Sequence, residues 1–386
     1  MPIILVAIAI IMVDGFDLQA IGFVAPDIAR SWSVDIAAFG PVFSAALAGS
    51  ILGALAAGPW VRRMGLRTVL AVSLAVFGGG TFAAAWASDL LELGALRFIV
   101  GMGLGAAVPI VLSLVAAHSP PRIRATALVV TLCGQPVGAI LGAALCAHFM
   151  PVHGWRFAFY LGGALPLLLI PAVLRIREPD ARPCAQSEKP GRVRDLFSID
   201  LRKPTLLLWA SSFLTVFFVY IIVNWLPSAV RGAGHSLGAS VSAIQIFNAG
   251  GIAGAILLGV LMDRHGPLRV IPFALGLAGI SFASLDVLQA TPVLFMTATF
   301  VCGLAGYGGS MSFGSLTALL YPAHLRTTGV GWVMGIGRLG AAVGPLGAGL
   351  ALAAGVGISR LFYFAAAAAV LVMGLLVTLA RVLRGR

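Results

Sequence analysis

The stretch GPWVRRMGLR, Gly58 to Arg67, returns in altered form as GVLMDRHGPLR, Gly259 to Arg269, with Gly266 standing 201 positions after Gly65. A second pair, PPRIRATALVVTLCGQPVGAILG from Pro120 and PAHLRTTGVGWVMGIGRLGAAVG from Pro322, repeats at an offset of 202. Two independent matches at nearly one offset imply that the chain is a duplicated unit, each copy about half its length.

What kind of unit follows from composition. The 386 residues are 60% hydrophobic and 10% charged, with a mean hydropathy of +1.04, where a soluble domain carries about 25% charged residues. An integral membrane protein is the expectation. A run of about 20 apolar residues crosses the hydrocarbon, and the chain offers twelve. They lie near 3–26, 40–61, 68–87, 91–116, 125–149, 155–175, 205–230, 240–262, 268–289, 292–320, 327–354 and 359–382. The longest polar interruption, Arg177 to Lys203, contains REPDARPCAQSEKPGRVRD, whose mixed charges and prolines cannot stay in lipid. It divides six helices from six. The predicted fold is an all-α membrane protein of twelve transmembrane helices in two pseudo-symmetric six-helix bundles, residues 1–175 and 205–386, joined by a cytoplasmic linker over 176–204.

The excess of 25 Lys+Arg over 13 Asp+Glu reads as topology rather than as a nucleic-acid footprint. Arg62, Arg63, Arg67, Arg122, Arg124, the linker, Arg264, Arg269, Arg326, Arg381, Arg384 and Arg386 fall on one side, whereas the opposite loops hold Arg30, Arg156, Arg231 and Arg360. By the positive-inside rule both termini and the linker are cytoplasmic. The apolar N-terminus lacks a basic leader and carries two acids, so it reads as a retained first helix and not a signal peptide.

Several functions are disfavoured. Cys133, Cys146, Cys184 and Cys302 show no metal or disulfide spacing. His118, His265 and His324 are spread over three rim loops, which argues against a metal site. No nucleophile elbow, P-loop or HExxH is present, and no enzyme is expected. The 48 glycines read as packing positions between helices.

Charges inside predicted helices cost at least about 2.5–3.5 kcal/mol each at mid-bilayer and need a partner or a purpose. Four fall clearly inside, away from the helix ends: Asp14 and Asp17 in MVDGFDLQA, Arg97, and Arg338. The two acids, at i and i+3, are expected on one face of the first helix, facing a common cavity. Neighbouring carboxylates resist ionising together and burial favours the neutral form, which makes one of them a candidate proton carrier. The alternative is that they pair with arginines and pin a helix bend. Arg97 is placed at the level of Asp17 and is a candidate to hold it charged, or to form a permanent structural pair. Arg338, near mid-depth, offers an always-charged fork for a carboxylate, with a structural partnership to Asp14 or Asp17 as the rival reading. Candidate walls for a bound ring are Phe213, Phe217, Gln135, Asn248 and Tyr307.

The ordered series DGFD in helix 1, G-x4-GP-x3-R-x-G after helix 2, RFIVGMGLG in helix 4, HGWRFAFYLGGALPLLL entering helix 6, NWLPSAVRGAG closing helix 7 and LYPAHLRTTGVGWVMGIGRLGAAVGPLG across helices 10 and 11 resembles the major facilitator superfamily. Within it, the series is similar to the aromatic acid:proton symporter family. The resemblance implies uptake of small aromatic carboxylates such as hydroxybenzoates, driven by cotransported protons through alternating access, with Arg97 in a coupling role. It implies no cofactor beyond a proton gradient, a bacterial-type inner membrane, and a monomer whose partners are an organic anion, protons and lipid.

Two departures stand out. The segment after helix 2 normally reads Asp-Arg, but Arg62 and Arg63 stand here; an acid usual at the end of helix 4 is replaced within VAAHSP by Ala116, Ala117 and His118. Asp263 and Arg264 keep the pattern in the second half, so a cytoplasmic gate of Arg62, Arg63, Asp263, Arg264 and Arg326 is expected to lean on Asp263, or on the linker acids Glu178 and Asp180. The chain also begins almost at helix 1, without the lead that the resemblance implies, as expected for a shortened variant or a misassigned start. The leading reading is a proton-coupled importer of a small aromatic acid. A proton-coupled exporter of the same fold and a non-transporting membrane sensor are the alternatives.

Overall fold

The computed structural model describes residues 2–120, 123–176, 193–288 and 291–384. Arg122, Glu178, Asp180, Cys184 and Arg386 lie outside them, as do the side chains of Arg124, His324, Arg326 and Arg384. Among the described residues no strand occurs, and twelve helices are long and apolar enough to cross a membrane. This is the only architecture besides a closed barrel that satisfies every backbone polar group in lipid.

The spans are α1 (Pro2–Trp32), α2 (Gly40–Met64), α3 (Leu66–Ala84), α4 (Leu90–His118), α5 (Gly134–His153), α6 (Arg156–Leu174), α7 (Arg202–Gly232), α8 (Leu237–His265), α9 (Pro267–Leu288), α10 (beginning at Pro292–Cys302), α11 (Ala323–Ala353) and α12 (Leu361–Arg384). They form two compact units, one of residues 1–184 with 236–241, the other of 185–235 with 242–386.

Some ends differ from those predicted. α1 does not stop at Pro26 but runs to Trp32, because Val24, Ala25 and Ile28 are fully buried and the packing carries the helix past the missing N–H. The fifth span is broken: a short helix, Arg124–Leu132, ends at Cys133 before α5 begins. Pro136 accounts for the break, since its ring lacks a donor and clashes with the carbonyl four residues back, that of Leu132. α10 widens into a π turn over Gly303–Tyr307 before Gly308–Met311, in a run rich in glycine.

The duplicated stretches fold alike. Gly65 and Gly266 close α2 and α8 with φ of 81° and 80°, the left-handed conformation that glycine adopts without strain, and their N–H groups donate to Val61 and Met262 at 3.0 and 2.9 Å. Glycine seams repeat too. In the first unit Gly49 lies against the Phe98 carbonyl and Gly101 against that of Ala46, joining α2 to α4; in the second, Gly250 lies against Phe300 and Gly303 against Phe247, joining α8 to α10. Likewise Gly138 and Gly142 of α5 press on Met12 and Phe16 of α1, and Gly340 and Gly344 of α11 press on Phe213 and Phe217 of α7. Every pair is 201 or 202 positions from its counterpart. Small residues let backbones approach where lipid offers no hydrophobic drive between helices.

Candidate functional site

The first unit packs α1 chiefly against α5, with α4 and α6 also in contact, and both acids of α1 lie in its interior, Asp14 at 5% exposure and Asp17 at 1%. Arg97 of α4, also 1% exposed, donates from Nη1 to Oδ1 and Oδ2 of Asp17 at 2.9 and 2.8 Å, and from Nη2 to the Asp17 carbonyl at 3.3 Å. Thr81 of α3 donates its hydroxyl to Oδ1 at 3.0 Å. Leu74 and Phe77 of α3 and Val100 and Leu104 of α4 belong to the apolar core of the same unit. Arg97 Nε is buried with no hydrogen-bond partner among the described residues.

The two acids are each held by a polar side chain of another helix. Gln135 of α5 donates Nε2 to Asp14 Oδ2 at 3.0 Å, whereas Asp17 is held from α3 and α4. Three residues turn a helix through about 300°, so the two side chains leave α1 about 60° apart, enough here to reach different neighbours. Gln135, expected at a substrate ring, has its amide on Asp14, and Gly15 lies beside it against the Gln135 carbonyl.

The second unit shows what the same positions hold without an ion pair. The counterparts of Asp17 and Thr81 at offset 201 are Phe218 and Phe282, whose rings meet edge to face at 5.4 Å. The counterpart of Arg97 at offset 202 is Thr299, which donates to the Phe295 carbonyl of its own helix at 2.8 Å. In the second unit an aromatic pair fills the place that the buried charges take in the first.

Arg338 lies in α11, half-buried, and makes no hydrogen bond or ion pair with another described residue. Its helix sits tightly on α7 through Gly337, Gly340 and Gly344. Phe213 and Phe217 stack at 6.1 Å on that side of α7, and Tyr307 stacks on Phe247 at 5.8 Å. Asn248 is buried and donates to the Ile244 carbonyl at 2.8 Å.

Residues 7–345 and, overlapping them, 233–385 match the profile described as Major Facilitator Superfamily. The chain belongs to the major facilitator superfamily. Within the superfamily it is 34% identical to the gallate transporter of Pseudomonas putida, over 96% of this chain and 91% of that one. It is 35% identical to the 4-hydroxybenzoate transporter PcaK of Acinetobacter baylyi, over 88% and 82%. Among solved structures the D-xylose-proton symporter superposes with a TM-score of 0.78 at 16% identity, covering 97% of this chain and 96% of that one; at that identity it speaks for the fold.

At the rim where the superfamily pattern is altered, Arg62 and Arg63 end α2 exposed, and Asp263 and Arg264 end α8 exposed, with no ion pair from Asp263 to another described residue. Arg67 is engaged, donating to the Leu174 carbonyl at the end of α6 at 3.2 Å. His118 and His265 turn Nδ1 to carbonyls of their own helices, Leu114 and Leu261. No group of three His, Cys, Asp or Glu able to hold a metal occurs among the described residues.

Sequence reasoning missed Thr81. Its one available signal was a hydroxyl following three glycines, Gly78 to Gly80, in a largely apolar helix.

Proposed function

We propose that this protein imports a small aromatic carboxylate by proton symport with alternating access. The observation that carries the reading is the buried Asp17–Arg97 pair, set against the Phe218–Phe282 contact that fills the same place in the other repeat. A buried charge pair kept in one repeat and replaced by rings in the other points to a use beyond packing. Gallate and 4-hydroxybenzoate, the compounds named for the two relatives, are both hydroxylated benzoates, which supports an aromatic acid as cargo. One chain is the transport unit, placed in a bacterial inner membrane with both termini cytoplasmic.

In this reading a proton from the outer side neutralises the Asp17 carboxylate. The Arg97 guanidinium loses its counter-charge, its hydrogen bonds and that of the Thr81 hydroxyl to the carboxyl group weaken, and the hold of the helices that carry them on α1 is loosened. Asp14 with Gln135 is the second acid of the relay. Arg338 binds the substrate carboxylate through its planar fork, while Phe213, Phe217 and Tyr307 offer apolar walls to the ring. Release of the proton to the inside restores the ion pair and resets the cycle.

Purified protein in proteoliposomes tests this. An inside-alkaline pH gradient should drive accumulation of 4-hydroxybenzoate or gallate above equilibrium, and a protonophore should abolish it. Binding without accumulation would support a sensor; accumulation driven only by the opposite gradient would support an exporter. Either result overturns the proposal.

A further inference from the structure

We propose that the groove between the start of α9 and the end of α12 is a binding site for a phospholipid with an anionic headgroup. The groove encloses about 370 Å³ and is lined by Arg269, Pro272, Phe273, Met373, Val377 and Arg381, among others. Arg269 lies in the first turn of α9 and Arg381 in the last turn of α12, so two guanidinium-bearing residues flank one end. Both are exposed, and neither makes a hydrogen bond or ion pair with another described residue. The equivalent corner of the first unit differs: there Arg67 is committed to the Leu174 carbonyl at 3.2 Å.

The rest of the groove is apolar and runs inward from the charges. At about 1.5 Å per residue, Phe273 lies about 6 Å deeper than Arg269, and Met373 about 12 Å deeper than Arg381. Phe273 is 77% exposed, a wall open to lipid. A Cβ at Gly276 would stand 2.7 Å from Met373 Sδ, so the bare glycine lets the thioether, part of the groove lining, lie on α9. Paired guanidinium groups recognise phosphate oxygens. A free phosphate would use the charges alone, whereas this surface continues for two helical turns as a seat for an acyl chain. Basic pockets between spans are suited to anionic headgroups, each basic residue near the surface contributing about 1 kcal/mol.

The test uses the full chain in detergent, titrated with phosphatidylglycerol, phosphatidylcholine or inorganic phosphate, with native mass spectrometry and thermal shift as readouts. Phosphatidylglycerol should bind and stabilise more than phosphatidylcholine, and inorganic phosphate should do neither. Arg269→Gln with Arg381→Gln should weaken phosphatidylglycerol roughly thirty-fold, two contributions of about 1 kcal/mol, while the lipid-free melting temperature stays that of the parent. Equal response to both lipids, equal stabilisation by phosphate, or a double variant that still prefers phosphatidylglycerol would each overturn the site.

Discussion

Thr81 Oγ1 and Arg97 Nη1 donate to the same oxygen of Asp17, Oδ1, at 3.0 and 2.9 Å. α3 and α4 thus converge on one carboxylate of α1. Thr81→Val removes a hydrogen bond to a charged group, which contributes about 1.5–3 kcal/mol. Gradient-driven uptake should fall at least several-fold, and Thr81→Ser should restore it. Val and Ser variants that transport alike would show the hydroxyl to be incidental.

The ion pair separates structure from function. Arg97→Leu leaves Asp17 buried without its counter-ion and should cost about 3–5 kcal/mol of stability. Adding Asp17→Asn removes the stranded charge and should recover most of that loss, as Phe218 and Phe282 show an uncharged arrangement at the same place in the second unit. Transport should be lost in both. A double variant that stays as unstable as Arg97→Leu, or that still accumulates substrate, contradicts the assignment.

Arg338 is half-buried in a spanning helix and carries no partner among the described residues. Arg338→Lys keeps the charge and loses the fork. Ligand-induced thermal stabilisation by 4-hydroxybenzoate should weaken at least tenfold in ligand concentration, about 1.4 kcal/mol, with the ligand-free melting temperature unchanged. A drop in the ligand-free value with affinity retained would make Arg338 structural.

Gly138 meets the Met12 carbonyl, whereas Gly374 has nothing within 4 Å of a Cβ position. Gly138→Val should therefore cost about 3 kcal/mol or more through overpacking, and Gly374→Ala should be neutral. Thermal unfolding of the two variants measures the difference, and equal stability would mean that the α1–α5 seam yields readily.

Apolar length made the twelve spans legible, and the repeated turns around Gly65 and Gly266 made the duplication legible, because both signals are local. Asp17 and Arg97 could be matched in advance because few charges lie inside the spans. Thr81 could not. A threonine in such a helix commonly bonds the carbonyl one turn back, as Thr131 does to Ala127 and Thr299 to Phe295, and nothing nearby in sequence distinguishes the one that reaches across. The bond from Gln135 to Asp14 was hidden for a similar reason: spacing gives the angle between two side chains, while their neighbours come from chain far away. α1 outran its predicted end because burial beyond Pro26 outweighs one missing donor.

The seam of Gly138 and Gly142 against Met12 and Phe16 also has a mechanical meaning. With no room for a methyl between them, α1 cannot slide or roll on α5, and Asp14 and Gln135 travel with those helices as one piece. A disturbance at Asp17 then bears on the other flank, where Thr81 of α3 and Arg97 of α4 hold the carboxylate by hydrogen bonds.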